Sequence, residues 1–307
     1  MSSYAFGVLI ALLVPLSHGL ANILDSDFAN RHFRSLSVLI FFCQLTKLAL
    51  LPVIILISPP SFIDAPMGLI VLVIALVEVL YQYPYYQALR HADTSIVTSL
   101  FSLGKITVPF VAFFSVGEHL SLLQYAGFFA TIVSGAVLTL DVRKSKMNRA
   151  FVLMIAVSIS LEMQLVLYKY AFEHGGTWGT IAVWSTLFEV LIASMFMLSP
   201  RNQIEFVSAT KKLKHMGPRF LLTQLMSWIG EQATSYALFL IPVTVCVGIA
   251  DIQSLAVLSF AALLKHKYPE LFHEDIERSN VWQKVLLLSL TAVGTALIIA
   301  GGGNHFR

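Results

Sequence analysis

Apolar residues fill this chain in long runs that short polar segments separate. Ten runs are close to the roughly 20 residues that a helix needs to cross the hydrocarbon core of a bilayer. In chain order they cover residues 3–22, 35–57, 66–88, 94–115, 120–140, 149–171, 178–198, 218–238, 241–264 and 282–301. No other segment is long enough to fold as a separate soluble domain. The pattern therefore predicts an all-α integral membrane protein with ten transmembrane helices.

The composition excludes an ordinary soluble protein. Hydrophobic residues make up 57% of the chain and charged residues 12%, and the mean hydropathy is +0.79. A typical soluble domain is about 25% charged. The two cysteines, Cys43 and Cys246, both fall inside apolar runs. We expect them to be packing residues and not a disulfide or a metal pair.

The basic residues lie on one side of the predicted spans. Sixteen of the 20 Lys and Arg residues fall in the connections after odd-numbered runs, whereas Arg307 follows the last, even-numbered run. Lys and Arg are enriched in cytoplasmic connections, so both termini are predicted outside the cytoplasm. The connections 199–217 and 265–281 are then expected at the cytoplasmic surface, either as solvated basic loops or resting on anionic lipid.

The first half of the chain echoes the second. The fifth run, LSLLQYAGFFATIVSGAVLTL, aligns with the tenth, VWQKVLLLSLTAVGTALIIAG, and YYQALRHADTSIVTSLFSL aligns with TSYALFLIPVTVCVGIADIQSL. The matched positions are Gln124 with Gln283, Gly135 with Gly294, and Ala88-Leu89 with Ala237-Leu238. Gln124 and Gly135 are separated by eleven residues, as are Gln283 and Gly294, and the two alignments together favour an internal duplication over chance.

The duplication divides the chain into two units. Residues 1–142 form the first five-helix repeat, 143–149 a basic cytoplasmic linker, and 150–307 the second repeat. Because five is an odd number, the second repeat enters the membrane in the opposite sense. Two inverted repeats of this kind hold a central site between halves that rock against each other.

The segment YYQALRHADTSIVTSLFSLGKITVPFVAFFSVGEHLSLLQYAGFFATIVSGAVLTL, residues 85–140, resembles the EamA-type members of the drug/metabolite transporter superfamily. The matching positions are Tyr86, Ala88, Leu89, Pro109, Gly117, Glu118, Gln124, Gly127 and Gly135. The Gly-Glu pair has no clean counterpart in the second half, and Pro15, Ser17 and His18 stand where the family has Trp-Gly. The resemblance implies ten helices and transport of small organic metabolites. Many members are drawn with cytoplasmic termini, which is opposite to the orientation that the charge asymmetry of this chain predicts.

Ionisable side chains interrupt the apolar runs. An ionisable group at the centre of a span costs about 2.5–3.5 kcal/mol on insertion scales, which favours a wet cavity or a partner of opposite charge. The groups inside the predicted spans are His18, Lys47, Glu78, Lys105, Glu162, Lys169, Glu189, Glu231 and Asp251. Acids outnumber lysines in this set, which predicts internal pairing with carboxylates left over.

Lys105 is the strongest candidate for a site residue. It lies next to Gly104 and four residues before Pro109, a setting that can open the helix backbone towards a cavity. The corresponding stretch of the second half holds Asp251 and Gln253. A cation and an anion at similar depths could hold both ends of a zwitterion. The alternative is that Lys105 is paired with an acid that pins two helices together.

The remaining candidates have structural alternatives as well. Glu78 and Glu231 either line a site or form ion pairs, and Lys47 is balanced between the same two roles. Tyr85 and Tyr86 belong either to an interfacial aromatic belt or, because Pro84 kinks their helix, to a substrate pocket. Three further candidates are Trp228, comparable to these tyrosines, His18, which could be a packing residue, and Glu162.

These residues predict a secondary transporter that moves a small polar or zwitterionic metabolite, such as an amino acid, amine or nucleotide derivative. Lys105 is expected to bind an anionic group, and Asp251, Glu78 or Glu231 an amine. Tyr85, Tyr86, Trp228 and Gln253 are expected to complete the pocket. Glu78, Glu162, Glu231, Asp251 and His18 are candidates for proton coupling, because a buried acid can alternate between charged and neutral states.

Two other classes of protein are weighed against a transporter. A structural membrane subunit would pair its buried acids and lysines one to one and leave no cavity. A membrane enzyme acting on lipid headgroups lacks support, because the sequence has no HExxH motif, paired metal-ligand spacing or Gly-rich phosphate loop. We therefore predict no enzyme activity, metal or cofactor. The expected partners are a small-molecule substrate, the bilayer and protons, with no nucleic acid, for a monomer or homodimer in the bacterial inner membrane.

Overall fold

The computed structural model describes residues 3–91, 94–140, 149–264 and 278–302. Within those ranges the chain is helical and contains no strand. The helices are α1 Ser3–Ala11, α2 Leu13–Asp27, α3 Leu36–Ile57, α4 Ala65–Leu89, α5 Thr94–Leu100, α6 Val108–Val116, α7 Leu122–Leu140, α8 Arg149–Glu173, α9 Trp178–Ser194, α10 Pro200–Leu240, α11 Val243–Ala250, α12 Gln253–Leu264 and α13 Arg278–Gly302. A π-helical turn, Phe28–His32, follows α2.

Five helical segments in the described part of the chain are long and apolar enough to cross a membrane. They are Ser3–His32, Leu36–Ile57, Ala65–Leu89, Met154–Glu173 and Trp178–Leu198. Shorter apolar helices cover Leu122–Ser134, Val243–Val257 and Ser289–Gly301. The prediction of an α-helical membrane protein is thus confirmed. The arrangement of ten spans as an inverted repeat stays a prediction at this point.

Two of the predicted spans are interrupted. Between α5 and α6 the chain forms a 3₁₀ segment, Phe101–Thr107, of seven residues. Runs of 3₁₀ helix longer than three or four residues are uncommon and often mark functional positions. Between α11 and α12 the chain turns at Asp251 and Ile252. The interruption around Lys105 is thus a tighter winding of the helix and not an open backbone, and Asp251 lies at an interruption in the second half.

The helices pack in a regular set of pairs. α7 lies along α13, and α3 lies along α9. α4 packs on α8 as α10 packs on α2, and α8 contacts the 3₁₀ segment as α2 contacts α12. At the crossing of α7 and α13 the backbones meet, because a Cβ on Gly127 would lie 2.5 Å from the carbonyl oxygen of Gly294. Only small residues permit such an approach.

One predicted connection is helical. Of residues 199–217, expected as a basic connection, all but the first belong to α10, which runs unbroken for 41 residues from Pro200 to Leu240. The cause is an apolar stripe that sequence inspection missed. Its members repeat every three or four residues and belong to one core cluster with residues of the π-helical turn and of α3: Phe206, Ala209, Leu213, Met216 and Phe220. This period belongs to a helix, and Pro218 does not end it.

Several predicted features lie outside the described residues. They are the linker at positions 143–148, positions 265–277 of the second basic connection, and Arg307. On either side of those linker positions the described chain ends α7 at Leu140 and begins α8 at Arg149.

Candidate functional site

A cavity of about 190 Å³ lies among α2, α3, α4, α8, α10 and the two interrupted helices. This is far larger than the roughly 10–15 Å³ that one water molecule needs. The ionisable side chains that line it are Asp25, Lys47, Glu78, Lys105, Glu162, Glu231 and His18, together with tyrosines of α4 and Tyr168. The walls therefore combine many charged and polar groups with a larger area of apolar and aromatic surface.

Lys47 of α3 is the centre of a cluster of charges. Its Nζ atom lies 3.2 Å from Glu78 Oε1 of α4, 2.9 Å from Glu189 Oε2 of α9 and 2.6 Å from Glu231 Oε2 of α10. An ammonium has three N–H donors, so each can serve one carboxylate. One lysine thus joins four helices, and its single positive charge faces three acids.

Glu78 has the most complete hydrogen bonding of the three acids. Besides Lys47, its Oε1 accepts from Gln82 at 3.3 Å, and its Oε2 accepts from Gln164 of α8 at 3.2 Å. Glu189 differs, because it is fully buried and its Oε1 has no hydrogen-bond partner. An unpartnered buried carboxylate oxygen is costly, so this cluster holds more negative charge than it satisfies.

Lys105 and Asp251 form the second charged contact. Lys105 Nζ lies 2.7 Å from Asp251 Oδ1 and 3.5 Å from the carbonyl oxygen of Val247, in the last turn of α11. The negative end of that helix favours the ammonium as well. Lys105 lines the cavity, whereas Asp251 does not line it and lies behind the lysine.

Glu162 of α8 lines the same part of the cavity. The side chain is 5% exposed, and its Oε2 has no hydrogen-bond partner. Gln253, the first residue of α12, also reaches the cavity. The part of the cavity near Lys105 therefore combines a lysine in an ion pair with the Glu162 carboxylate, which can accept a further hydrogen bond.

Asp25 of α2 lines the other part of the cavity and was not predicted as a site residue. Its carboxylate oxygens lie 3.5 Å from the hydroxyls of Tyr85 and Tyr86. The first apolar run was predicted to end at residue 22, whereas the helix continues through Asp27. His18, Asn22 and Asp25 are spaced by four and three residues, so they share one helix face, and this pattern could have revealed the site.

The structure brings most of the predicted site residues together. Those that line the cavity are Lys105, Glu78, Glu231, Tyr85, Tyr86, Gln253, Glu162 and His18. Tyr85 and Tyr86 are buried and turn inward, so they do not form the interfacial belt that was the alternative. Trp228 is not part of the lining; it is half-buried against a core cluster, and its indole N–H has no partner. The ring of His18 lies against the backbone of Gly230.

Lys169 has a structural contact away from the cavity. Its Nζ donates to the carbonyl oxygens of Leu238 and Ile241, each at 3.2 Å. Those carbonyls lie at the C-terminal end of α10, where the helix dipole favours a cation. The ammonium of Lys169 is thus bound by backbone carbonyls and does not take part in the cavity.

Glu118 has a clear structural role. It follows Gly117, which has a positive φ of 67°. Its carboxylate accepts from the backbone N–H of Val243 at 2.6 Å and of Thr244 at 3.2 Å. These are the first two N–H groups of α11, so Glu118 caps an interrupted helix of the other half. The Gly-Glu pair thus links the two halves.

The cavity and its immediate contacts hold an excess of negative charge. Six carboxylates, Asp25, Glu78, Glu162, Glu189, Glu231 and Asp251, accompany two lysines, Lys47 and Lys105. Such a site can bind a cation or take up protons. Among the described residues, no group of three or more His, Cys, Asp or Glu side chains is arranged to hold a metal ion.

Comparison with protein-family models and with curated proteins gives no match. Comparison with solved structures gives a likeness to a chain described only as "Crystal structure of protein". The alignment covers 98% of this chain and 95% of that one, with a TM-score of 0.56 and 14% sequence identity. At this identity the likeness concerns the fold alone, and it extends over nearly the whole of both chains.

Proposed function

We propose that the protein is a secondary transporter that moves a small polar or zwitterionic metabolite by alternating access. The observation that carries this proposal is the contact between Lys105 and Asp251, 2.7 Å apart, at the interruptions of two helices beside a polar cavity. Transporters bind substrate at discontinuous helices near the middle of the membrane. We also propose, from the sequence resemblance of residues 85–140, that the protein is related to the EamA-type transporters.

The packing pattern supports two inverted five-helix repeats. If α2, α3, α4, α5–α6 and α7 correspond in order to α8, α9, α10, α11–α12 and α13, then each major contact has a counterpart. Under this correspondence the contact between α4 and α8 is equivalent to the contact between α10 and α2. The contact between α8 and the 3₁₀ segment is likewise equivalent to the contact between α2 and α12. The pairs α7 with α13 and α3 with α9 map onto themselves. This is the contact pattern of a pseudo-two-fold axis between repeats.

The charge distribution supports a division of roles. Lys105 is proposed to bind an anionic group of the substrate, releasing Asp251 to bind a cationic group or a proton. The Lys47 cluster joins α3, α4, α9 and α10, which belong to both halves, so its contacts must change when the halves move apart. The excess carboxylates support coupling to protons, with Glu78, Glu162, Glu231, Asp251 and His18 as candidates.

The rival proposals fit the site less well. A structural subunit would pair acids with lysines one to one and fill the space between them. Here Lys47 contacts three acids, and a cavity of about 190 Å³ lies beside them. No arrangement among the described side chains favours an enzyme acting on lipid headgroups. The proposed location is the bacterial inner membrane, and the proposed assembly is a monomer or homodimer.

The test begins with purified protein and a metabolite library. Ligands that bind the folded form raise its apparent thermal stability, and each hit is then tested for uptake and efflux in proteoliposomes. Lys105→Ala should abolish transport of a confirmed substrate, whereas Lys211→Ala, on the exposed part of α10, should leave it unchanged. Unimpaired transport by Lys105→Ala would remove Lys105 from the mechanism. Stabilising ligands that are never transported would refute a transporter.

A pH gradient tests coupling separately. If transport is proton-coupled, imposing an inward or outward gradient should change the initial rate of uptake of the same substrate. An initial rate that ignores the gradient would leave facilitated exchange as the mechanism and reject proton coupling.

A further inference from the structure

We propose that Asp25, Asn22, Tyr85 and Tyr86 form a subsite for the ammonium group of an organic amine. This inference rests on the proposed transporter function and specifies one end of its substrate. The four side chains come from α2 and α4, and all four line the cavity. They are distinct from the two lysine-centred contacts described above.

Asp25 is a buried carboxylate that needs a cation. The residue is 6% exposed, and within the described ranges no Lys, Arg or His lies within ion-pair distance of it. Lys47 and Lys105, the lysines of the cavity, contact other acids. Asp27, two residues further on, is bound by Arg31 and His32 instead. A buried charge without a partner is costly, so a cationic ligand at Asp25 gains a strong interaction.

The existing hydrogen bonds to Asp25 are weak. The hydroxyls of Tyr85 and Tyr86 both lie 3.5 Å from its oxygens. The Tyr85 hydroxyl is closer to Asn22 Oδ1, at 2.9 Å, and its one proton serves one acceptor at a time. Asp25 therefore keeps most of its capacity to accept hydrogen bonds from a ligand.

Asn22 provides an independent sign of a missing ligand. It is 7% exposed, and its Nδ2 has no hydrogen-bond partner. A buried amide N–H₂ without an acceptor costs free energy that a ligand oxygen would recover. The side chain lines the cavity one helical turn from Asp25. The subsite thus offers an acceptor for an ammonium and a donor for an oxygen of the same molecule.

Aromatic rings surround the carboxylate on the α4 side. The ring centroids of Tyr85 and Tyr86 are 5.1 Å apart, and that of Tyr85 lies 5.8 Å from Phe101 and 6.4 Å from Tyr81. The faces of aromatic rings attract ammonium ions, and the attraction grows when the site excludes water. Aromatic walls favour an organic amine over a hydrated inorganic cation, which would lose its water without matching oxygen ligands.

The subsite is separate from the Lys47 cluster. Tyr85 follows Glu78 by seven residues on α4, which corresponds to about 10 Å along the helix. An amine bound at Asp25 therefore extends its remaining atoms towards Lys47 and Lys105. The substrate class that fits is an amine with an oxygen near its nitrogen and a further group that reaches the centre of the cavity.

The experiment uses two probes of equal size and different charge. Phenethylammonium and 2-phenylethanol are titrated by calorimetry into the detergent-purified full chain. We expect the ammonium to bind and the alcohol to bind at least about tenfold more weakly, the ratio expected for a hydrogen bond to a charged group. This comparison needs no variant. Equal affinity for the two probes, or no binding of the ammonium, would overturn the inference.

Asp25→Asn keeps the size of the side chain and removes its charge. It should weaken phenethylammonium binding by about ten- to a hundredfold, whereas Asp27→Asn, in an acid bound to Arg31 and His32, should keep the wild-type affinity. Equal weakening in both variants would assign the effect to stability and refute the subsite. If a non-amine is transported and the ammonium does not bind, the subsite fails and the transporter stands. If the ammonium binds through Asp25 but no library hit is transported, the subsite stands and the transporter fails.

Discussion

Lys105 lies 2.7 Å from Asp251, and each residue occupies the interruption of a different helix. In the proposed repeat the two positions correspond, so the chain places opposite charges at related points of its two halves. A contact that joins two interrupted helices stabilises their packing, and in the proposed mechanism it also binds substrate. Variants that remove one or both of the two side chains separate these roles.

Removing one partner of this pair should be far more damaging than removing both. Lys105→Met or Asp251→Leu alone leaves a buried charge without its partner, which costs about 3–5 kcal/mol. The double variant should recover most of that stability, because both charges are gone. Thermal unfolding in detergent, followed by circular dichroism, measures the difference. Additive losses in the double variant would show that the two side chains do not act as a pair.

Lys47 should be more important for stability than any single acid that it contacts. Lys47→Met leaves Glu78, Glu189 and Glu231 facing one another without a cation, so a large loss of thermal stability is expected. Adding Glu189→Gln to Lys47→Met should restore part of the loss by removing one of the repelling charges. Lys211→Met, on the exposed part of α10, is the control and should change little. No restoration by Glu189→Gln would contradict the shared cluster.

Glu118 should stabilise α11 from the other half of the molecule. Glu118→Ala removes the acceptor for the N–H groups of Val243 and Thr244, and we expect a loss of about 0.5–2 kcal/mol. Glu118→Gln should cost less, because an amide oxygen still accepts. Ser115→Ala alters a neighbouring exposed side chain that bonds only to its own helix, and it serves as the control. Equal stability of all three variants would refute the cap.

The crossing of α7 and α13 should not tolerate a methyl group. Gly127→Ala would place its Cβ 2.5 Å from the carbonyl oxygen of Gly294, so the two helices must separate. We expect a loss of about 1–3 kcal/mol, the usual cost of overpacking. Gly68→Ala is the matched control, because its Cβ would meet only Ile63 Cδ1 at an ordinary 3.8 Å, and alanine there should stabilise α4 by up to about 1 kcal/mol. Thermal unfolding of the two variants should shift in opposite directions.

Local patterns in the sequence predicted the helices and one of the two interruptions. The spacing of Gly104, Lys105 and Pro109 indicated an opened backbone because each residue acts on its own segment. The three acids around Lys47 could not be assigned in this way, since they come from three different helices. Their convergence depends on how the helices rotate about their axes, and hydropathy does not carry that information.

Two boundaries were wrong for related reasons. Asp25 lies beyond residue 22, where the first apolar run ends and polar residues begin. The helix continues through these polar residues because this part of it faces the cavity. The continuity of α10 was missed because Lys211, Lys212 and Lys214 suggested a loop. Those lysines are exposed, and they lie on the same helix as an apolar stripe that packs on the core. In both cases one face of the helix is polar, and the hydropathy averaged over the segment conceals the apolar face.

The length of α10 has a practical consequence. Forty-one residues span about 60 Å, twice the thickness of the oil layer, so the first turn lies far along the helix from Glu231 in its second half. A tilt of a few degrees around Glu231 would move the first turn, where Asn202 accepts from Ser35, by several ångströms. A fluorophore attached near Gln203 would therefore report rearrangements around Lys47 from a position that no substrate needs to pass.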